Sequence, residues 1–258
     1  MRYFFEIQYD GTNYHGWQYQ PNAVSVQATI ENELHKLFKG KNGIIGCGRT
    51  DTGVHATQYY FHYDIEDAID TSIIKYKLNG MLPKDIFVRA IEKVDSKAHA
   101  RFDAEKRSYT YIICLRKNPF AVNRAWINSY DKLNIDIMQQ AALDILQYND
   151  FPMLCKAGSD VKHFKCQLFS SNLSYQPDKE QLVYRITANR FLRNMIRRLV
   201  GLLVQVGKTH ISIEEYNYNF KQKQQLKYIN LAPPEGLYLS RVEYPFIKRA
   251  NIIAETLL

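Results

Sequence analysis

The amino-acid sequence predicts a mixed α/β (α+β) fold in which two similar open α/β halves share one continuous, mainly antiparallel sheet. Short runs of strand-forming residues alternate with segments of helical periodicity along the chain. The order of strands and helices in the N-terminal part recurs in the remainder, and no Ser/Gly linker or low-complexity stretch separates the two parts. We therefore expect halves at 1–104 and 105–258, with a boundary near 100–107.

The elements of the N-terminal half follow from periodicity and turn residues. A strand is expected at Arg2–Tyr9, and the polar turn cluster at 10–13 ends it. Ser25 can cap a helix whose apolar residues recur at helical spacing, namely Val26, Ile30, Leu34, Leu37 and Phe38. Further strands are expected at 44–47, 57–63 and Ile86–Val94, with a short helix at 72–79.

The elements of the C-terminal half follow a similar order. A strand is expected at 107–115, then a helix at 135–148, and then strands at 162–175 and Gln181–Ala188. A long helix is expected at 191–206 and a further helix at Ile213–Gln222, and a last strand at 238–244 completes the chain.

The charge balance favours a polyanionic partner. The 258 residues include 34 Lys and Arg against 26 Asp and Glu, a formal net charge of +8. Such a surplus suits nucleic acid or an acidic membrane surface. The 19 Tyr and 13 Phe residues could stack on unpaired bases, although filling strands is an equally ordinary use of them.

Neither a zinc site nor a disulfide framework is indicated. The four cysteines are not paired as Cys-x-x-Cys, so reduced, buried thiols are expected at Cys47, Cys114, Cys155 and Cys166. Glu6 interrupts the apolar N-terminus, and Gly201 and Gln205 interrupt the best apolar run. We therefore expect no signal peptide or membrane span, and a cytoplasmic protein.

The most informative segment is a glycine-rich loop between two predicted strands, Gly46-Cys47-Gly48-Arg49-Thr50-Asp51-Thr52-Gly53-Val54-His55-Ala56. Glycines permit unusual backbone dihedrals, and a loop of this kind can hold a carboxylate outward in a fixed place. A phosphate-binding loop is excluded, because Val54 and His55 replace the Lys-Ser/Thr pair and Asp51 would repel phosphate.

Two other interpretations of the loop stay open at this level. Asp51-Thr52-Gly53 matches the tripeptide of aspartic proteases, but that chemistry needs two carboxylates, which here only a homodimer could supply. Arg49 would also favour an ionised Asp51, against a shared proton. Alternatively, Asp51 caps backbone amides in a purely structural turn.

Five blocks in order resemble the tRNA pseudouridine synthase A family. The segment 48–56 resembles the family's signature loop, and 9–18 resembles its opening strand and turn. The blocks at 100–104 with 107–111 resemble the entry to the second half. Phe191-Leu192 with Met195-Ile196-Arg197, and then 232–239, complete the order. The match spans most of the chain.

The resemblance implies a role for particular side chains. Asp51 would be the catalytic carboxylate, Tyr109 would stack on uracil, and Arg197 would pair with Asp51. Arg49 would enter the RNA stack when the target nucleotide flips out, and Leu237 would pack against the base. Three arginines near a central RNA-binding cleft would contact phosphates, namely Arg190, Arg193 and Arg198. On the predicted helix 191–206, the spacing places Arg190, Arg193 and Arg197 in one stripe.

The reaction implied is isomerisation of uridine to pseudouridine in the anticodon stem-loop of tRNA, at positions 38, 39 and 40. The resemblance further implies a homodimer that binds tRNA across both subunits and needs no metal or organic cofactor. Whether Asp51 attacks the ribose, attacks the uracil ring or removes a ribose proton stays open. A non-catalytic RNA-binding module and the aspartic protease are the alternatives.

One local departure from the family pattern follows Asp150-Phe151. The family usually carries a Ser-Phe pair there, whereas this chain has Pro152-Met153-Leu154. The departure bears on RNA contacts at this place and not on the chemistry.

Overall fold

The computed structural model describes residues 1–38, 42–129, 132–156, 158, 161–224 and 230–248. This part of the chain forms five α-helices and nine strands, and most strand pairs are antiparallel. The predicted α/β (α+β) class is therefore confirmed. The chain divides into two compact units, an N-terminal unit of Met1–Arg107 with the segment 238–248, and a C-terminal unit of Ser108–Leu237. The halves 1–104 and 105–258 stay a prediction.

The strands, in chain order, are β1 Arg2–Tyr9, β2 Ile45–Gly46, β3 His55–Asp64, β4 Ile86–Val94, β5 Lys106–Cys114, β6 Trp126–Ile127, β7 Leu168–Gln176, β8 Gln181–Ala188 and β9 Leu237–Glu243. The helices are α1 Val26–Phe38, α2 Thr71–Met81, α3 Ile135–Asp144, α4 Met195–Gly207 and α5 Ile213–Gln222. Several bounds agree with the sequence prediction to the residue, among them β1, β4, β8 and α5.

In the N-terminal unit the strand order is β4-β1-β3-β9, with β2 paired to β3. β1 is antiparallel to both neighbours, so Phe5 lies opposite Phe61 on one side and Ile91 on the other. β9 joins β3 in parallel, with Tyr238 opposite His55. The aromatic residues of these strands fill the core, since the Phe5 and Phe61 rings stack at 4.7 Å between centroids.

The two helices of this unit begin at side-chain caps. Ser25 Oγ accepts the Ala28 amide at 3.3 Å, which confirms the predicted cap of α1. Asp70 caps α2 in the same way through the amides of Ser72 and Ile73. α1 buries Val26, Ile30 and Leu34, three of the five apolar positions identified by spacing.

In the C-terminal unit the strand order is β5-β8-β7, with β6 parallel to β5. α3 packs against α4 and against β7. α4 is the central helix of this unit, because all of its residues are buried except Arg197 and Arg198.

The prediction for the start of α4 was wrong. Asn194 has a φ of +63°, in the left-handed region, so the helix begins at Met195 and not at residue 191. Asn tolerates this conformation better than most residues. Arg190 and Arg193 therefore precede the helix, and the predicted arginine stripe along it does not exist.

Two other elements are shorter than the sequence predicts. The helix expected at 135–148 ends at Asp144, and a 3-10 turn at Ile145–Gln147 follows it. The strand expected at 162–175 starts only at Leu168.

The four cysteines are free and buried, as the sequence predicted. Burial raises the pKa of the Cys47 and Cys166 thiols to about 11, which keeps them protonated and unreactive at neutral pH. Within the described ranges, no helix combines the length and the apolar character that crossing a bilayer requires.

Two helical glycines give a matched stability test. A Cβ on Gly201 in α4 would overlap the carbonyl oxygen of Asn230, whereas a Cβ on Gly80 in α2 meets no atom within 4 Å. We expect Gly201→Ala to lower the free energy of unfolding by about 1–3 kcal/mol, because the backbone of α4 or that of Asn230 must move to make room for the methyl group. Gly80→Ala should raise it by about 0.5–1 kcal/mol. Urea denaturation measures both, and equal effects of the two substitutions would contradict the close packing at Gly201.

Candidate active site

Asp51 lies on the loop between β2 and β3. Its side chain is half-buried, while that of Arg49 is exposed and donates to Gln18 Oε1 at 3.3 Å. The Val54 amide donates to the Asp51 carbonyl at 3.1 Å and closes a tight turn, in which Gly53 has a φ of +76°. The glycine in the tripeptide is therefore required by the backbone of this turn.

The turn after β1 packs against this loop and holds it through hydrogen bonds. The Trp17 amide donates to the Thr50 carbonyl at 3.2 Å, and the Gly53 amide donates to the Tyr14 carbonyl at 3.2 Å. The hydroxyls of Tyr9 and Thr50 are hydrogen-bonded at 2.9 Å in the interior. Two sequence blocks that are far apart in the chain, 9–18 and 48–56, thus form one supported loop.

Two glycines allow the turn after β1 to lie in close contact with the Asp51 loop. Gly16 has a φ of +86°, and a Cβ there would overlap the carbonyl oxygen of Thr50. A Cβ on Gly11 would overlap the carbonyl oxygen of Val54. Both positions therefore allow backbone to lie directly against the loop that carries Asp51.

His55 fixes the end of the loop where β3 begins. The buried Nδ1 lies 3.0 Å from the Gly11 amide nitrogen and 3.1 Å from Asp10 Oδ1, and the ring stacks on Tyr238 at 4.6 Å between centroids. His55 is thus a structural residue that ties the turn after β1 to two strands. In the sequence, His55 is recognisable only as part of the loop motif.

In the C-terminal unit, Tyr109 lies half-buried on β5. Its ring meets Phe191 edge-on, with 5.2 Å between centroids and 86° between planes. In the sequence, Phe191 is recognisable only as part of a family block, and no role for it follows from the resemblance. Its contact with Tyr109 spans 82 positions of the chain, so no local pattern could have revealed it.

Arg197 holds the segment that leads into β9. Its Nε donates to the Ala232 carbonyl at 2.7 Å, and the Ala232 amide donates back to the Arg197 carbonyl at 3.1 Å. Tyr111 donates its hydroxyl to the Pro233 carbonyl at 2.7 Å. The residues just before Leu237, whose side chain is buried, are thereby fixed between α4 and β5.

The remaining predicted arginines lie around the atypical segment. Pro152–Leu154 forms a 3-10 helix, and Arg198 Nη1 donates to the Met153 carbonyl at 3.2 Å. Arg193 is exposed, and Arg190 lies 3.3 Å from the His163 ring. The atypical residues therefore have a packing role, since Met153 and Leu154 are buried.

Asp51 and Arg49 thus belong to the N-terminal unit, and Tyr109, Arg197 and Leu237 to the C-terminal unit. The pairing of Arg197 with Asp51 and the assigned roles stay predictions. Among the residues whose placement is described, no cluster of three or more His, Cys, Asp or Glu side chains could hold a metal ion.

Comparison with known proteins assigns the chain to a family. Residues 7–103 and 148–245 match the family described as tRNA pseudouridine synthase. Proteins named tRNA pseudouridine synthase A from Bacteroides thetaiotaomicron and Bacteroides fragilis are each 40% identical over 247 residues. These alignments cover 95% of this chain and 91% and 97% of the two relatives. A protein of the same name from a Thermoanaerobacter species is 38% identical, over 92% of this chain and 97% of its own length. The matches include both 9–18 and 48–56, the two blocks that form the Asp51 loop and its support. The chain therefore belongs to the tRNA pseudouridine synthase family.

Proposed function

We propose that this chain isomerises uridine to pseudouridine in the anticodon stem-loop of tRNA, at positions 38, 39 and 40. Membership of the family makes it an isomerase that acts on tRNA. The observation that carries the proposal is the Asp51 loop, a motif of the family that is held at both ends by buried contacts. The choice of the anticodon stem-loop rests on the sequence resemblance.

The reaction breaks the bond between the ribose and N1 of uracil, turns the base, and joins its C5 to the ribose. The proton on C5 is lost and N1 gains one, so no outside reagent is consumed. The chemistry needs an anionic carboxylate, a surface that holds the loose base, and exclusion of water. Asp51 supplies the carboxylate on a loop whose backbone is already fixed, so little reorganisation accompanies the reaction.

Tyr109 is proposed to stack on the uracil during its rotation. Phe191 supports this role, because an edge-on neighbour at 5.2 Å restricts the orientation of the Tyr109 ring. A second candidate role of Tyr109 is transfer of the C5 proton by its phenol hydroxyl, which the Tyr109→Phe variant below tests. Leu237 would pack against the base, and Arg197 would pair with Asp51 and fix its rotamer.

RNA contacts are proposed for four arginines. Arg49, exposed beside Asp51 in the chain, would fill the space left by the flipped nucleotide. Arg190, Arg193 and Arg198 would contact phosphates, in keeping with the net charge of +8. By the same resemblance we propose a homodimer that binds tRNA across both subunits in the cytoplasm, with the two halves 1–104 and 105–258 contributing to one reaction.

Replacing Asp51 with Asn tests the assignment of the carboxylate. The amide keeps the shape of the side chain and removes its charge, so turnover should fall to background while tRNA affinity stays within about threefold. Tritium release from C5-labelled uridine in tRNA measures turnover, and filter binding measures affinity. Asp67→Asn, which changes an exposed carboxylate of the same unit, should keep wild-type activity. Product above background from the Asp51 variant would refute the assignment.

Replacing Tyr109 with Phe separates stacking from proton transfer. The ring and its contact with Phe191 are kept, so tRNA affinity should be unchanged and turnover should stay within about tenfold of wild type. Tyr109→Ala, which removes the ring, should lose much more turnover than Tyr109→Phe. If the Phe variant lost as much turnover as Asp51→Asn, the hydroxyl itself would take part in the reaction.

The proposed site in tRNA is tested by mapping pseudouridine after incubation with several tRNAs that share no flanking bases. Recognition through backbone shape should place product at positions 38–40 in all of them. Binding should also weaken steeply as salt rises, because phosphate contacts release counterions. Product confined to one base sequence, or found mainly in the T-arm, would contradict this specificity.

A further inference from the structure

Arg107 ends the first segment of the N-terminal unit, and its guanidinium donates hydrogen bonds to three backbone carbonyls. Nε and Nη2 donate to the Cys47 carbonyl at 3.3 and 2.9 Å. Nη2 also donates to the Arg101 carbonyl at 2.7 Å, and Nη1 to the Ala104 carbonyl at 3.2 Å. The side chain is half-buried, so these charge-assisted bonds are stronger than bonds in open solvent.

One of the three carbonyls belongs to Cys47, the residue at which the Asp51 loop leaves β2 and which we call the root of the loop. Cys47 lies four positions before Asp51 and is fully buried, and its amide donates to the Tyr60 carbonyl at 2.8 Å. The next carbonyl, that of Gly48, accepts the hydroxyl of Tyr59. A buried carbonyl that loses its donor is costly, so without Arg107 the chain at Cys47 would shift to find another partner.

The other two carbonyls belong to a rigid turn at 99–104. The Asp103 amide donates to the His99 carbonyl at 3.0 Å, and the His99 amide donates to Asp103 Oδ2 at 2.7 Å. The Ala100 amide donates to Nδ1 of the buried His62 at 3.0 Å. Burial, with Arg2 nearby, lowers the pKa of His62 to about 4, so its Nδ1 stays an acceptor at neutral pH.

We infer that Arg107 is a positioning residue for Asp51: it bonds the root of the catalytic loop to the rigid turn 99–104 and so keeps the carboxylate in place for isomerisation. This role does not require Arg107 to touch the RNA. A misplacement of a reacting group by about 1 Å can cost about 10²-fold in rate, and substrate affinity need not change. The inference rests on the proposed function, in which Asp51 does the chemistry.

Arginine suits this position better than lysine. Three carbonyls are reached by three nitrogens of one planar group, each with donors in a fixed direction. A lysine ammonium keeps the charge but has a single nitrogen, which cannot reach all three acceptors at once. Arg107→Lys should therefore preserve the charge and lose the positioning.

The experiment compares kcat with tRNA affinity for Arg107→Lys and Arg107→Ala. At saturating tRNA we expect kcat to fall by about 10²-fold in the Ala variant and by at least about tenfold in the Lys variant. The Kd for tRNA should stay within about threefold of wild type, because Arg107 is not assigned to the RNA surface. Added guanidinium ion should partly restore kcat of Arg107→Ala in a saturable manner, and methylammonium should not.

Arg2→Ala is the matched control. The Arg2 guanidinium donates to the Ala98 carbonyl at 2.8 Å and to both oxygens of Asp64 at 2.8 and 2.7 Å, so it has a comparable set of bonds in the same unit. Ala98 lies just before the turn 99–104, but none of these bonds reaches the Asp51 loop or a carbonyl that Arg107 contacts. Burial, the larger cause of the low pKa of His62, remains when Arg2 is replaced. Arg2→Ala should lower the melting temperature as Arg107→Ala does, yet keep wild-type kcat.

Hydrogen exchange gives a readout that does not depend on activity. Amide exchange at Cys47 and Val54 should accelerate in both Arg107 variants and stay at the wild-type rate in Arg2→Ala. If the Arg107 variants kept kcat and loop protection and lost only melting temperature, the positioning role would be refuted. If the wild-type protein made no pseudouridine, the proposed function would fail separately, while the exchange data would still decide whether Arg107 holds the loop.

Discussion

The Asp51 loop depends on one close approach of backbone to backbone. Gly16 and Gly11 place the turn after β1 against Thr50 and Val54 at distances that leave no room for a side chain. This contact lets Trp17 donate its amide to Thr50, and Gly53 donate its amide to Tyr14. The loop is thereby fixed through its own peptide groups, which gives the backbone of Asp51 the fixed position that its proposed role requires.

The C-terminal unit uses the same physical device. Gly201 lets α4 lie against the Asn230 carbonyl, and Gly236 lets the chain pass over the ring of Tyr111. A pair of hydrogen bonds between Arg197 and Ala232, one donated by each residue, then fixes the segment in register. In both units glycines allow close contact with backbone, and hydrogen bonds beside the glycines fix that contact.

Local patterns predicted the regular elements well and their irregular ends poorly. β1, β4, β8 and α5 have bounds that alternation and spacing identify to the residue. The start of α4 failed because the residues from Phe191 to Met195 have helical spacing, but Asn194 takes a left-handed conformation. Before that residue, the Arg193 carbonyl accepts the amide of Lys156, 37 positions earlier. A contact at that separation overrides local propensity and leaves no trace in the local sequence.

The candidate site shows the same division between local and distant information. A carboxylate on a glycine-rich loop could be identified from 46–56 alone, but its chemistry could not, because the same Asp-Thr-Gly tripeptide suits an aspartic protease. Five separate blocks resemble the pseudouridine synthase family, and the family model matches residues 7–103 and 148–245. These matches favour the isomerase over the protease. The contacts of Arg107 with Cys47 and of Tyr109 with Phe191 join residues 60 and 82 positions apart. Such contacts require the folded chain, because a hydrogen-bond donor in a strand gives no sign in the sequence of which carbonyl it will reach. The residues that hold a catalytic group in place are for this reason harder to find from sequence than the catalytic group itself.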